Sequence, residues 1–437
     1  MKRFYTDLLR WLLRGLARLT IRRYRPAVIG VTGSVGKTSA KLAIAAVLSG
    51  GRTPRVRASA GNLNNDLGLP LAILGDWPAR DLALISHETP PGAARLRKAF
   101  FWCRVIFSSA RRLIVKDPGY PEILVLEYGA DRPGDIKKLL RIARPNASVV
   151  TAIGETPAHL EYYSGPEAVA REKGRLIECL PAAGFAVLNH DDDTVMRLEP
   201  RTRARAVTYG FEKGADVRIA RFENWMDGGT PRGTAFRLEF AGSSVPVRIP
   251  GAFGRAQAYA AAAAAAAGLI FGMNLVKISE ALAGYRPASS RMELLPGIKH
   301  SLVIDDSYNA SPLSMRAALT ALGELPAKRR LAVLGDMLEI GKYAPEAHEE
   351  VGRLAAGAAD LLFTVGPRAR FIADAARKCG MKAAKIESFD VADEAAKPLR
   401  QAVREGDLIL VKGSHAMELD KVVGVIRDTT PSSSSPV

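Results

Sequence analysis

Thr32-Gly33-Ser34-Val35-Gly36-Lys37-Thr38 stands between an apolar run at residues 27–31 and a helix-forming stretch at residues 38–48. A glycine-rich loop leaving a buried strand and entering a helix lets backbone N–H groups curl around phosphate oxygens at the helix N-terminus. A lysine in that place neutralises the β/γ-phosphates, and the following hydroxyl binds Mg²⁺. The full pattern has glycine where Val31 stands, so this is a shortened phosphate loop. Nucleotide binding is the first expectation.

Outward from the loop, short apolar runs at 123–126, 148–152 and 186–188 alternate with helix-like segments at 134–142 and 166–180. Such alternation predicts a mostly parallel sheet with helices on both faces. Residues 207–249 carry more alternating residues and glycine turns, the mark of a small β-rich patch on the same domain. Pro287, Ser289, Ser290, Pro296 and Gly297 cluster in a break at 284–297. Beyond it the rhythm restarts, with strands expected at 301–304, 330–334, 361–365 and 408–412. The fold class is therefore α/β: a central P-loop domain over 27–290 and a C-terminal Rossmann-like α/β domain over 291–428. A basic N-terminal helix (1–26) precedes them, a basic insertion lies at about 80–121, and a Ser/Pro-rich tail at 429–437 reads as disordered.

The chain has 437 residues, 48% hydrophobic and 24% charged, which excludes fibrous and wholly disordered classes. Its 62 Lys+Arg against 45 Asp+Glu give +17. That excess points to phosphates or anionic lipid. Nucleic acid is set aside, because no recognition motif accompanies the charge. Cys103, Cys179 and Cys379 are too dispersed for a zinc site or disulfide framework, so a reducing, cytoplasmic setting is expected. On a helical wheel, Leu8, Leu9, Leu12, Leu13, Leu16 and Leu19 face away from Arg3, Arg10, Arg14 and Arg18, with Trp11 at the boundary. This predicts a helix lying on the inner face of an anionic membrane, against the alternative of a helix packed on its own domain. The stretch 95–116 is a second basic, aromatic candidate. The apolar run 258–276 holds eight alanines, Ala260–Ala267, and reads as a buried helix rather than a span.

Further motifs follow in order: Gly61-Asn-Leu-Asn-Asn-Asp-Leu-Gly-Leu-Pro70, Glu127-Tyr-Gly-Ala130, Arg144-Pro145, Pro157-Ala-His-Leu-Glu161 and Lys173-Gly174. Then come Asp305-Asp-Ser-Tyr-Asn-Ala-Ser-Pro312, Leu334-Gly-Asp-Met-Leu-Glu339 and Leu410-Val-Lys-Gly-Ser414. Together with residues 32–39, this set resembles the Mur ligases, ATP-dependent amide-bond ligases of peptidoglycan synthesis. Within that family it is most similar to the MurF type, which adds D-alanyl-D-alanine to a UDP-muramoyl-tripeptide.

The resemblance implies ATP on Gly33, Ser34, Val35, Gly36, Lys37, Thr38 and Ser39, with Arg291 and Asn309 reaching it from the C-terminal domain. It implies Mg²⁺ on Thr38, Glu127 and His159, and on Lys173 once that lysine is carbamylated. Lys37, His159 and Lys173 become the catalytic candidates. Asn62, Asn64, Asn65 and Asp66, with Asp305, Asp306, Tyr308 and Lys412, become the substrate-facing ones. Gly335, Asp336, Glu339, Gly413 and Ser414 follow strand ends, where open α/β sheets place ligands, although Asp336 equally suits a helix cap. The implied activity is formation of an acyl phosphate on a muramoyl-peptide carboxylate, followed by attack of an amine, D-alanyl-D-alanine first among candidates.

Three departures from the family stand out. About 26 residues precede the loop strand, too few for the family's UDP-binding domain. The adenine-side His-Asn pair is replaced by Phe253-Gly254, with Phe253 left as a base-stacking candidate. The segment between residues 74 and 123 is long, basic and aromatic. Two alternatives stay open: a ligase of lipid-linked substrates such as the MurT type, whose zinc-ribbon cysteines are missing here, and an inactive nucleotide-binding scaffold.

Overall fold

The structure, a computed structural model, describes residues 2–51, 55–85, 95–228 and 230–428. The expected tail lies outside them. The apolar run before the loop forms β1 (Ala27–Thr32), buried almost throughout. It lies inside a nine-stranded sheet with β2 (Val56–Ala58), β3 (Ile123–Glu127), β4 (Ala147–Val150), β5 (Phe185–Asn189), β6 (Arg205–Gly210), β7 (Val217–Asp227), β8 (Thr230–Phe240) and β9 (Ser243–Pro250). Their order is β2-β3-β1-β4-β5-β6-β7-β8-β9. Pairs from β2 to β7 are parallel, while β7–β8 and β8–β9 are antiparallel. The expected β-rich patch is thus a continuation of the main sheet. The apolar face of β7–β9 packs on the helix Arg255–Ile270, whose alanines at 260–267 are all buried. Alanine has no bulk beyond Cβ, so this helix settles close to the helix Lys37–Ser49 that leaves the phosphate loop.

A second sheet of six strands follows: β10 (Glu293–Gly297), β11 (Ser301–Asp306), β12 (Arg329–Gly335), β13 (Leu361–Val365), β14 (Ile386–Phe389) and β15 (Asp407–Lys412). Its order is β10-β11-β15-β12-β13-β14, all parallel except the β10–β11 edge. Pro296 and Gly297, read from sequence as part of a break, belong to edge strand β10. Proline is tolerated there because an edge strand leaves some N–H positions without a ladder partner. The irregular passage between the sheets is confined to residues 284–292.

The N-terminal helix Lys2–Tyr24 corrects the wheel reading. Leu13, Ala17 and Thr20 are fully buried, and Leu9 and Leu16 pack beside them against the helices Gly68–Leu74 and Arg95–Ile114. Half of the leucine face, Leu9, Leu13 and Leu16, therefore covers the protein's own core. What remains outside is Tyr5, Leu8, Trp11 and Leu19. The helix Arg95–Ile114 buries Phe101 and Val105, but leaves Leu96, Phe100, Phe107 and Ile114 between 71% and 86% exposed. No helix among the described residues is long and apolar enough to cross a membrane.

Candidate active site

The loop is shaped for close approach. Gly33 has φ +148, and a Cβ there would lie 2.0 Å from Thr151 Oγ1. Gly36, at φ +85, turns the chain into the helix Lys37–Ser49. Both conformations favour glycine. Lys37 Nζ curls back to donate to the carbonyls of Gly33 (2.9 Å) and Ser34 (3.3 Å). Ser34 Oγ is buried with no hydrogen-bond partner. A buried orphan hydroxyl within a loop of this shape fits a phosphate oxygen.

Glu127, at the end of β3, is buried beside the loop. Thr38 Oγ1 donates to its Oε2 (3.1 Å), Asn64 Nδ2 donates to its Oε1 (3.1 Å), and Lys41 Nζ pairs with Oε2 at 3.3 Å. Burial pushes the Glu127 carboxyl up, but the charges of Lys41 and Lys37 and the Asn64 bond outweigh it and hold the group below its usual range. Lys37 is itself lowered, first by burial, then by Arg291.

Lys41 was not foreseen. It sits mid-helix in an apolar run and is wholly buried, its ammonium also donating to the Gly61 carbonyl (2.7 Å). Its spacing from Lys37 and Thr38 was the available signal, since residues three and four apart share a helix face.

Lys173, on the helix Pro166–Glu178, is 1% exposed. Burial, with Lys37 adding to it, lowers its amine to about 7, while Asp131, Glu172 and Glu127 resist. His159 has φ +63 and lies between two carboxylates, with Nε2 3.3 Å from Asp131 and Nδ1 2.6 Å from Glu339. Glu339, also left-handed at φ +63, comes from the second sheet's side, and its carbonyl accepts from Glu161 N (3.0 Å). His159 is thus a bridge between the two halves in this structure. Among the described residues no group of three or more His, Cys, Asp or Glu is gathered as a metal cluster. The expected metal set is therefore only partly assembled: Thr38 and Glu127 touch, and His159 is turned to Asp131 and Glu339.

The four polar residues of the 61–66 loop divide. Asn64 meets Glu127, Asn65 Oδ1 accepts from Leu67 N and Gly68 N at a helix start, and Asn62 is exposed. Asp66 pairs with Arg14 (3.0 Å) and Arg10 (3.4 Å) of the N-terminal helix. Asp305 accepts from Ser290 Oγ (2.8 Å), Ser307 N (3.0 Å) and Ser307 Oγ (2.6 Å). Asp306 accepts from Met292 N (3.1 Å) and from Lys412 Nζ (2.5 Å), and Lys412 also donates to Asn309 O (2.8 Å). Asp305, Asp306 and Lys412 are therefore engaged with neighbouring groups within the protein.

What these internal bonds position is Arg291. Its neighbours Ser290 and Met292 are both left-handed, at φ +56. Non-glycine residues adopt that region at a cost, so the bonds from Asp305 and Asp306 hold the junction in place. The Arg291 guanidinium lies over the Tyr308 ring at 4.2 Å, and Tyr308 stacks on His415, a second residue that sequence reading missed. Asn309 is exposed nearby. Asp336 Oδ1 accepts from Ala369 N (2.7 Å) at the start of a later helix whose N-cap residue is Arg368, so Asp336 is not itself an N-cap. Phe253 is 0% exposed within the C-terminal domain's core, so it is not a platform for a base.

The Mur ligase middle-domain model matches residues 113–268, and the Mur ligase glutamate ligase domain model matches residues 290–415. A UDP-N-acetylmuramoyl-tripeptide--D-alanyl-D-alanine ligase of Bacillus subtilis is 30% identical, over 94% of this chain and 78% of that protein. This chain belongs to the Mur ligase family. Among solved structures, a MurF of Acinetobacter baumannii matches with TM-score 0.75 and 26% identity, covering 95% of this Mur ligase and 80% of that chain. MurF ligase of Thermotoga maritima in complex with ADP matches with TM-score 0.74 and 27% identity, covering 94% and 82%.

Proposed function

We propose that this Mur ligase joins D-alanyl-D-alanine to a muramoyl-tripeptide with hydrolysis of ATP to ADP and phosphate. The observation that carries it is the phosphate loop with its Lys37, and with Lys41, Glu127 and Lys173 buried beside it. In the first step a peptide carboxylate oxygen attacks the γ-phosphorus and ADP leaves. The dipeptide amine then attacks the acyl carbon, phosphate leaves, and the nitrogen releases its proton. Lys37 neutralises the transferring phosphoryl group, and Arg291 brings a second cation from the C-terminal side. His159 lies beside Glu339 of the C-terminal half.

The oxygen donors suit a hard cation: the Thr38 hydroxyl, the Glu127 carboxylate and a carbamate on Lys173 would hold Mg²⁺, with His159 as a nitrogen ligand once turned from Asp131 and Glu339. Bound there, it would spread the charge of the phosphoryl oxygens. A Lys173 amine near 7 is substantially neutral at physiological pH, and only the neutral amine takes up CO₂. Supplying UDP-muramoyl-tripeptide, D-alanyl-D-alanine, ATP and Mg²⁺ should give stoichiometric ADP and ligated product. Absence of both with every muramoyl acceptor would favour an inactive scaffold.

The membrane reading moves to a different surface. We propose that Leu96, Phe100, Phe107 and Ile114, with Trp11 and Leu8, rest on anionic lipid among the flanking arginines. Each fully buried apolar side chain contributes about 1.5–3 kcal/mol, less when partly immersed, and each arginine near the surface about 1 kcal/mol. Deleting the N-terminal helix is a poor test because Leu13 is core. Phe100→Glu/Phe107→Glu should instead abolish co-sedimentation with phosphatidylglycerol vesicles while leaving melting unchanged. Equal pelleting of both proteins, or of neither, rejects this surface.

A further inference from the structure

A cleft of about 400 Å³ opens between the N-terminal helix and the helix Asp135–Leu140, away from the phosphate loop. Trp11, Arg14, Arg18, Lys138 and Arg141 line it, and its size is within the range of small-ligand sites. Four cations meet here. Arg14 is paired with Asp66 (3.0 Å) and Lys138 with Asp135 (2.9 Å). Arg18 spends its Nε on the Arg141 carbonyl (2.6 Å), and neither Arg18 nor Arg141 forms an ion pair among the described residues. Arg14 Nε is buried with no hydrogen-bond partner. Trp11, 71% exposed, stands at the rim. The cleft thus holds two cations in excess, the charge of a diphosphate diester. Guanidinium forks match phosphate oxygens in pairs, and an exposed indole offers a stacking or apolar surface beside them.

Both walls lead to the active site. Asp66 is two residues from Asn64, whose amide bonds Glu127. The opposite wall is joined through Ile136 N to Glu172 Oε1 (2.9 Å), the residue before Lys173. An acceptor made of diphosphate, sugar and peptide carries its charged end apart from its reacting carboxylate, and the cleft shares no lining residue with the phosphate loop.

We propose that this cleft binds the diphosphate of the muramoyl acceptor, with a nucleoside or a lipid beyond it; the inference rests on the ligase reading. Uridine diphosphate and geranyl diphosphate are the probes, titrated by calorimetry into the full chain. Lys138→Ala/Arg141→Ala should weaken probe binding at least tenfold and raise the KM for a diphosphate-linked acceptor by a similar factor. Its melting temperature should be that of the wild type. Lys37→Ala should bind the probes as the wild type does, because the cleft is separate from the phosphate loop. Binding of uridine diphosphate alone assigns the nucleoside form, and of geranyl diphosphate alone the lipid form. Binding abolished by Lys37→Ala but kept in the double variant would relocate the probes to the loop and overturn the proposal, as would no binding of either probe. If no muramoyl acceptor yields ADP yet probe binding still needs Arg141, the ligase reading falls and the diphosphate site stands.

Discussion

Lys37→Ala is expected to lower ADP formation by about 10²–10³-fold, the loss seen when one pre-positioned donor to developing charge is removed. The side chain is short of alternatives: it is desolvated, its pKa is lowered by burial and by Arg291, and it now donates only to its own loop carbonyls. Its removal should leave the fold intact, because Lys41 remains 3.3 Å from Glu127. The contrasting variant is Lys41→Met. It strips Glu127 of its nearest counter-ion in a buried place, a loss that costs about 3–5 kcal/mol. Steady-state ADP release and thermal melting, measured on both variants, separate the two roles. Wild-type turnover in Lys37→Ala would remove the loop from the chemistry.

Lys173→Ala should lose activity by a comparable factor, about 10²–10³-fold, and regain part of it with added acetate, which can occupy the missing carboxylate's place. The unmodified lysine also makes a pH prediction. Its folded pKa is lowered from 10.5 to about 7. Below 7 the ammonium persists and CO₂ uptake stops, so activity should fall as pH drops through 7 and recover with added bicarbonate at fixed pH. Stability runs the same way. Between 7 and 10.5 the unfolded chain binds the extra proton, so stability in CO₂-free buffer rises with pH across that window and the penalty is complete below 7. Lys173→Met should therefore be more stable than the wild type near neutral pH while remaining inactive. Full activity in the alanine variant, or no response to acetate or bicarbonate, rejects the carbamate.

The sheet core and the phosphate loop were legible because each signal is local: a short apolar run, two glycines, a lysine and a threonine at fixed spacing. The β-rich patch was read correctly as strand but not as a continuation of the main sheet, since pairing partners are not written in periodicity. The N-terminal helix shows the limit of the wheel. Amphipathicity located the apolar face, yet its partner is a pair of helices contributed by residues 68–74 and 95–114, far along the chain. The family resemblance makes Asp305, Asp306 and Lys412 substrate-facing. Three-dimensional closeness then consumed those charges in holding Arg291, and no spacing rule reveals which carboxylate a lysine will find. Lys41 was hidden for the opposite reason, as a cation in a helix where solvent was the default neighbour.

The alanine tract has one more consequence, for tolerance to length change. Its eight members look interchangeable, but both ends are tethered. Gln257 donates to the Arg291 carbonyl (3.3 Å) and accepts from Tyr285 (3.1 Å), while a Cβ on Gly268 would come within 2.9 Å of Val47 and 3.0 Å of Ile278. One inserted alanine would advance every later residue by about 1.5 Å and rotate it by about 100°. The glycine notch would then turn away from Val47, and an alanine would replace it there. Register at Arg291 and packing behind the phosphate loop are thus gauged by the same count of residues, so a tract that tolerates drift in spelling should tolerate none in number.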